Sequence, residues 1–295
     1  MVELLLDILY MIVLAYGFGF LYYGLYRNIS ARVHGRFGPS IAQSFFDSIK
    51  LFVKKSSTTF GWMFYAGPVI MASGAILTVL FIPFLNNTSN LSGLSSYGNL
   101  ILILYLMVLG PLGNALGVGS TGNPFNVMGV TRGLTRLIGL ELPFYIAIIG
   151  LIAINKSSDI SVIMANQENT INMIQHPLLF IAAFISFLGF MGKSPFDVVG
   201  APQEVYSGPR AEFSGKFLAL AMSQSAIFSF AKLLLMVNLF LGGASSLAEL
   251  VVKTFVLFLV AVFTGNVFAR FTTSQSVEFL LIVPTSIALL GLVFI

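Results

Sequence analysis

The sequence contains no cysteine. That absence excludes a disulfide framework, a thiolate metal site and any iron–sulfur cluster ligated by this chain. Histidine is nearly absent: His34 and His176 stand far apart, with no spacing suited to a zinc or haem site. Charge is also scarce. Only 9% of the 295 residues are Asp, Glu, Lys or Arg, whereas a soluble domain carries about 25%. The opening MVELLLDILY brings Glu3 and Asp7 where a secretory signal needs basic residues, so the first apolar segment is expected to remain as a helix. The Gly-rich run GVGSTGNP lacks the Lys-Ser/Thr ending of a P-loop, which removes the motif for nucleotide binding. No internal repeat or matched pair of broken helices points to an inverted-repeat transporter.

What is present is apolar. Hydrophobic residues make up 57% of the chain, with 29 Phe and 28 Gly, the composition of helices packed closely in lipid. Segments of about 20 apolar residues span a bilayer. Eight segments approach this, near 3–24, 60–85, 98–118, 137–154, 176–192, 216–241, 247–269 and 275–295. The expected fold is an all-α integral membrane protein, a single membrane domain over 1–295. It has about eight transmembrane helices plus one interfacial amphipathic helix. That last helix is read from SIAQSFFDSIKLFVKK, where Ile41, Phe45, Phe46, Ile49, Phe52 and Val53 share a face and Asp47, Lys50 and Lys54 fall elsewhere.

Basic residues collect in alternate loops. Arg27, Arg32, Arg36, Lys50, Lys54 and Lys55 lie in 27–59, Arg132 and Arg136 in 119–136, and Lys193 and Arg210 in 193–215. The intervening loops hold only Lys156. Positive residues stay inside, so these three loops are expected to be cytoplasmic, with both termini outside a multi-pass plasma-membrane protein. The outer loop carries glycosylation triplets at Asn86, Asn87 and Asn90, but a plain polar turn has the same composition and is the preferred reading.

Ionisable residues inside helices cost about 2.5–3.5 kcal/mol on insertion scales, so each is a candidate for function. Lys232 lies in the middle of AMSQSAIFSFAKLLLMVNLF with Gln224, Ser225 and Ser229 near its face; a buried lysine can act in a proton relay. Glu141, in LIGLELPF, is expected at the inner end of its helix, with Pro143 marking a break. Position alone supports a relay carboxylate and a helix-end cap equally. Glu249 and Lys253, four apart, read first as a local ion pair.

The loop from Lys193 to Gly215 is the longest polar run. It holds Asp197, Glu204 and Glu212, three of only eleven acidic residues, and is broken by Pro195, Pro202 and Gly208-Pro209. Asp197 also has a plain role as a helix cap. Glu204 and Glu212 fit a proton-responsive element or a solvated acidic rim.

Four stretches of this chain, in order, carry a family resemblance: GRFGP with DSIKLFVKK, TRGLTRLIGLELPF, SPFD and QEVYSGPRAEFSG. They resemble the subunit of respiratory complex I that anchors its hydrophilic arm to the membrane, and its counterparts in energy-converting membrane-bound hydrogenases. The resemblance covers essentially the whole chain. It puts Arg132, Glu141, Glu204 and Glu212 on family positions, with Phe213 where tyrosine is usual and His34 where glutamine is common. Quinone-reducing members carry two further glutamates where this chain has Gly200 and Pro202. That departure favours a quinone-independent, ferredoxin-oxidising relative, either a membrane-bound hydrogenase or a sulfur-reducing complex.

The resemblance implies a non-catalytic subunit that binds no cofactor itself. Iron–sulfur clusters, and nickel–iron in a hydrogenase, would sit in partners. A hydrogenase-like large subunit and an iron–sulfur subunit would dock on the cytoplasmic loops through Arg32, Arg36, Asp47, Lys50, Arg132 and Arg210. Antiporter-like membrane subunits and lipid would surround the rest, and no nucleic acid is expected. Glu141, Asp197, Glu204, Glu212 and Lys232 would form the path coupling electron transfer to proton or sodium movement. The alternatives are a quinone-binding complex I subunit, a stand-alone ion transporter and a purely structural anchor.

Overall fold

The computed structural model describes residues 2–56, 60–86, 91–168, 170–200, 208 and 211–294. Among them there is no strand; the protein is all-α. The helices are α1 (Val2–Val33), α2 (Gln43–Val53), α3 (Trp62–Phe81), α4 (Leu100–Gly119), α5 (Pro124–Asn155), the short α6 (Ile160–Ala165) and α7 (Asn172–Gln175), α8 (Pro177–Phe190), α9 (Gly215–Phe240), α10 (Leu247–Val267) and α11 (Thr273–Val293). Seven of these are long and apolar enough to cross a membrane. The eighth expected span, α8, has 14 residues and measures about 21 Å at 1.5 Å per residue. It is shorter than the bilayer core and is packed against α5 and α11.

The central element is α9. It packs against α1, α2, α3 and α10 and is the most buried of the spans. Its apolar residues are distributed all round, as a helix surrounded by protein requires. On one side the α3–α4 pair joins without bulky side chains between the backbones: a Cβ added at Gly67 would lie 2.4 Å from the Cα of Gly117. On the other side α5, α8 and α11 form a second group.

Two expectations about α5 are corrected. Residues 124–136 are helical, not loop, so α5 runs 32 residues, about 48 Å. Asn123 caps its N-terminus, its side chain accepting from the Phe125 N–H at 3.0 Å, and Pro124 occupies the first turn, where its missing N–H costs nothing. Gly129 and Gly133 weaken the helix by only about 1 kcal/mol each and leave a groove that Val199 and Gly208 fill. Pro143 does not break the helix, which continues to Asn155.

The surface helix α2 appears where the amphipathic pattern puts it, and its two fully buried residues are serines. Ser48 meets Tyr16 of α1 at 3.1 Å and Ser223 of α9 at 3.5 Å. Ser44 accepts from Arg27 at 3.2 Å. Phe46 and Val53 point away from the protein and are exposed, the orientation of a helix that rests its apolar face on lipid.

Candidate functional site

The two halves of the bundle meet around two cavities. The larger, about 500 Å³, lies between α1, α4, α5, α9 and the stretch after α8. Tyr22, Tyr23 and Tyr26 of α1, Asn114, Gln224 and Asp197 contribute its polar walls, with Met71 and Phe258 among the apolar ones. The smaller, about 60 Å³, reaches Glu141 and Tyr145 on α5. Pro111, Arg136, Phe190, Phe228 and Lys232 line both and form the partition.

Helix lengths explain this depth. Glu141 lies 17 residues beyond Pro124 and Lys232 lies 17 beyond Gly215, so each sits about 25 Å along its helix. Glu141 is therefore mid-helix, not at the inner end as the 137–154 span would have it. Tyr145, one turn on, lines the same cavity.

Lys232 donates to the carbonyl of Phe190 at 2.8 Å. Phe190 is the last residue of α8, whose terminal carbonyls have no helical partner and carry the negative end of the dipole. The ammonium also lies 4.3 Å from the centroid of the Phe228 ring, a cation–π contact. Arg136 donates from Nη1 to the carbonyl of Phe196 at 2.6 Å, while its Nε is sealed from solvent with no hydrogen-bond partner among the described residues. Asp197 is the carboxylate whose field acts on Arg136, and Arg136 in turn acts on Lys232 as a like charge. The four groups thus form a sequence from loop to mid-helix: Asp197, Arg136, Lys232 and Glu141. The smaller cavity has room for water and offers it Arg136, Glu141, Tyr145 and Lys232 as partners, which is what a stable buried water needs. Such an arrangement can move a proton between Lys232 and Glu141 or transmit a change of charge along the series.

The SPFD turn is held in place by Arg136 and by packing. Phe196 is buried against Leu140, Phe271 and Phe279, and the Pro195 carbonyl accepts from the Phe271 N–H at 2.9 Å. Lys193 places its ammonium 3.5 Å from the centroid of the Tyr26 ring. Asp197 caps no described helix, contrary to the plain role its sequence setting allowed.

Comparison with known proteins fits this arrangement. The family profile described as NADH dehydrogenase matches residues 6–295. The chain belongs to the NADH dehydrogenase family. Hydrogenase-4 component C of Escherichia coli (strain K12) is 34% identical over 269 residues, 85% of this chain and 83% of that protein. A subunit of the NADH-quinone oxidoreductase of Bacillus cytotoxicus is 27% identical over 237 residues, 76% of this chain and 70% of its own. A chain from the solved membrane-bound sulfane sulfur reductase, an archaeal respiratory membrane complex, superposes with a TM-score of 0.93 at 34% identity, covering 99% of both chains.

In this NADH dehydrogenase family member the remaining expected residues fall in separate places. Glu212 lines neither cavity; it accepts from Asn123 at 2.6 Å and so sits at the N-terminus of α5. Glu204 and Arg210 lie outside the described residues, as do Pro202, Asn87 and Asn90. Arg32, Arg36 and Lys50 are exposed, Arg132 is half-buried, and Asp47 is occupied by Arg27 at 3.4 Å and Gln43 at 2.8 Å. The amide of Asn86 is used on both sides, donating to the Gly242 carbonyl and accepting from the Ala244 N–H. Glu249 and Lys253 pair at 2.7 Å, and Lys253 also ties down the carbonyls of Leu241 and Gly243. Among the described residues no group of three His, Cys, Asp or Glu stands together as metal ligands.

The packing adds Arg136, Gln224 and Tyr145 to the site. Tyr145 was legible as the i+4 neighbour of Glu141. Arg136 was obscured because 119–136 read as a loop; on a helix it falls one turn after Arg132.

Proposed function

We propose that this chain is the membrane-anchor subunit of a ferredoxin-oxidising respiratory complex, a membrane-bound hydrogenase or a sulfur-reducing relative. Its basic loops face the cytoplasm and both termini lie outside. A hydrogenase-like large subunit and an iron–sulfur subunit hold the redox centres and dock on those loops, near exposed Arg32, Arg36 and Lys50 and the half-buried Arg132. Phe37, 93% exposed on the first loop, is a further docking contact. The likeness to hydrogenase-4 component C and to the sulfane sulfur reductase chain supports this assignment.

The chain's own role is coupling. Redox turnover in the docked arm changes the charge at the loop carboxylates Asp197, Glu204 and Glu212. Asp197 passes that change to Arg136 and Lys232, and Lys232 to Glu141, from which it reaches antiporter-like subunits moving protons or sodium. The observation that carries this reading is the pair of cavities that share Arg136 and Lys232 in their walls, one reaching a loop carboxylate and the other a carboxylate about 25 Å along α5. The test is the intact complex bearing Glu141→Gln or Lys232→Met. Electron transfer and assembly stay near wild type while ion translocation falls at least tenfold; unimpaired translocation in both would sink the relay.

A quinone-binding role is the second reading. It is favoured by one observation: a cavity of about 500 Å³ with three tyrosines on its wall has the volume of a small-molecule site. Against it stands Gly200, on that wall, where quinone-reducing relatives have a glutamate. Quinone-dependent turnover of the purified complex would decide for it.

A further inference from the structure

Arg136 and Lys232 are two half-buried cations that line the same cavities and, among the described residues, have no ion-paired carboxylate. The salt bridges among the described residues are Arg27–Asp47 and Lys253–Glu249, both elsewhere. Among the described residues each cation has a single hydrogen bond, to a backbone carbonyl. For Lys232 that uses one of three N–H groups; for Arg136 it uses one of five, and Nε has no partner. An arginine cannot relieve the cost of burial by losing its proton. Taking charge out of water without a counter-ion is unfavourable, and here two cations of the same sign border one cavity. Asp197 lines the same cavity and acts on Arg136 without forming an ion pair.

We propose that the larger cavity holds an oxyanion of the phosphate class between Arg136 and Lys232. With Nε sealed and one Nη1 N–H on the Phe196 carbonyl, the guanidinium has donors to spare at its Nη nitrogens for a paired contact with two oxygens, a geometry in which arginine holds phosphate. The ammonium supplies a point charge from the neighbouring helix. Gln224, whose side chain lines the same wall from α9, adds a neutral donor. The apolar walls at Phe228, Phe258 and Met71 keep the local dielectric low, which strengthens every contact the anion makes. Free inorganic phosphate and the phosphate of an acidic phospholipid offer the same chemistry, the second placing its acyl carbons against those walls.

The intact complex, purified in phosphate-free buffer, tests both sources. One arm measures saturable binding of radiolabelled orthophosphate by equilibrium dialysis. The other extracts and quantifies phospholipid that survives detergent exchange. Wild type is expected to show about one site per complex in one arm, weakened at least tenfold by Arg136→Gln and by Lys232→Gln, with Arg136→Lys intermediate because it keeps charge but loses the fork. Orthophosphate binding identifies the free ion; retained acidic lipid without it identifies the headgroup. Neither signal in wild type, or a signal unchanged in both variants, overturns the proposal. If Arg136→Gln fails to assemble, Lys232→Gln supplies the same readout. Because the readout is binding, the site stands or falls separately from ion translocation.

Discussion

Two regions of this bundle bury polar side chains, in opposite ways. At the far end of α9, Gln167, Asn172, Asn86 and Asn238 are neutral amides stitched to backbone. Gln167 donates to the carbonyls of Ile163 and Asn238 and accepts from the N–H groups of Asn172 and Gly242. Asn172 and Asn238 donate to the carbonyls of Leu239 and Pro83. An amide carries donor and acceptor together, so it closes a turn without leaving charge behind. Around Arg136 and Lys232 the groups are ionic, each anchored by one carbonyl and bordering a cavity. Amides suffice for stability. Charges in a bilayer are retained where something must respond to charge.

The contrast predicts opposite outcomes for similar substitutions. Lys232→Met gives up a half-buried charge and one hydrogen bond to a backbone carbonyl, so heat stability should stay within about 1 kcal/mol of wild type while translocation per electron falls at least tenfold. A lower melting temperature with intact coupling would break the comparison. Gln167→Leu should do the reverse. It leaves buried donors and acceptors unmatched and lowers stability by about 1–3 kcal/mol, read as a drop in melting temperature, with the coupling ratio of the surviving complex unchanged. Gly200→Glu is expected to fall between them: a Cβ there lies 3.3 Å from Asp197 Oδ1, and a second carboxylate beside the first should reduce coupling severalfold without affecting assembly. Phe37→Ala should leave the membrane domain intact and speed loss of the soluble arm on dilution, measured by gel filtration. Smallest of all, Glu249→Gln removes a half-exposed ion pair and should shift stability by no more than about 0.5 kcal/mol, with translocation unaffected.

Much of the fold was readable because lipid leaves few options. A run of about 20 apolar residues must be helical to satisfy its backbone, which is why α3, α4, α9, α10 and α11 stand close to where hydropathy puts them. The α2 face was legible from its period. Its consequence was not: apolar residues marked the side turned to lipid, while the buried contact with α1 and α9 runs through Ser44 and Ser48. Outside the apolar runs, local signals misled. Gly129, Gly133 and the Asn-Pro start made the first turns of α5 look like loop, because a glycine that admits Val199 is indistinguishable in sequence from one that permits a turn.

The sequence by itself determined the class, the positions of most of the spans and the identity of Lys232 and Glu141 as costly charges, because hydropathy and charge are properties of residues taken one at a time. Tertiary structure alone decided which charges share a space. Arg136, Lys232, Asp197 and Glu141 lie on α5, α9 and the turn after α8, and only the packing of those elements leaves the cavities between them. It also separated Glu212 from that group and set it at the start of α5, since a loop carboxylate goes to whichever donor the fold brings within reach, here Asn123.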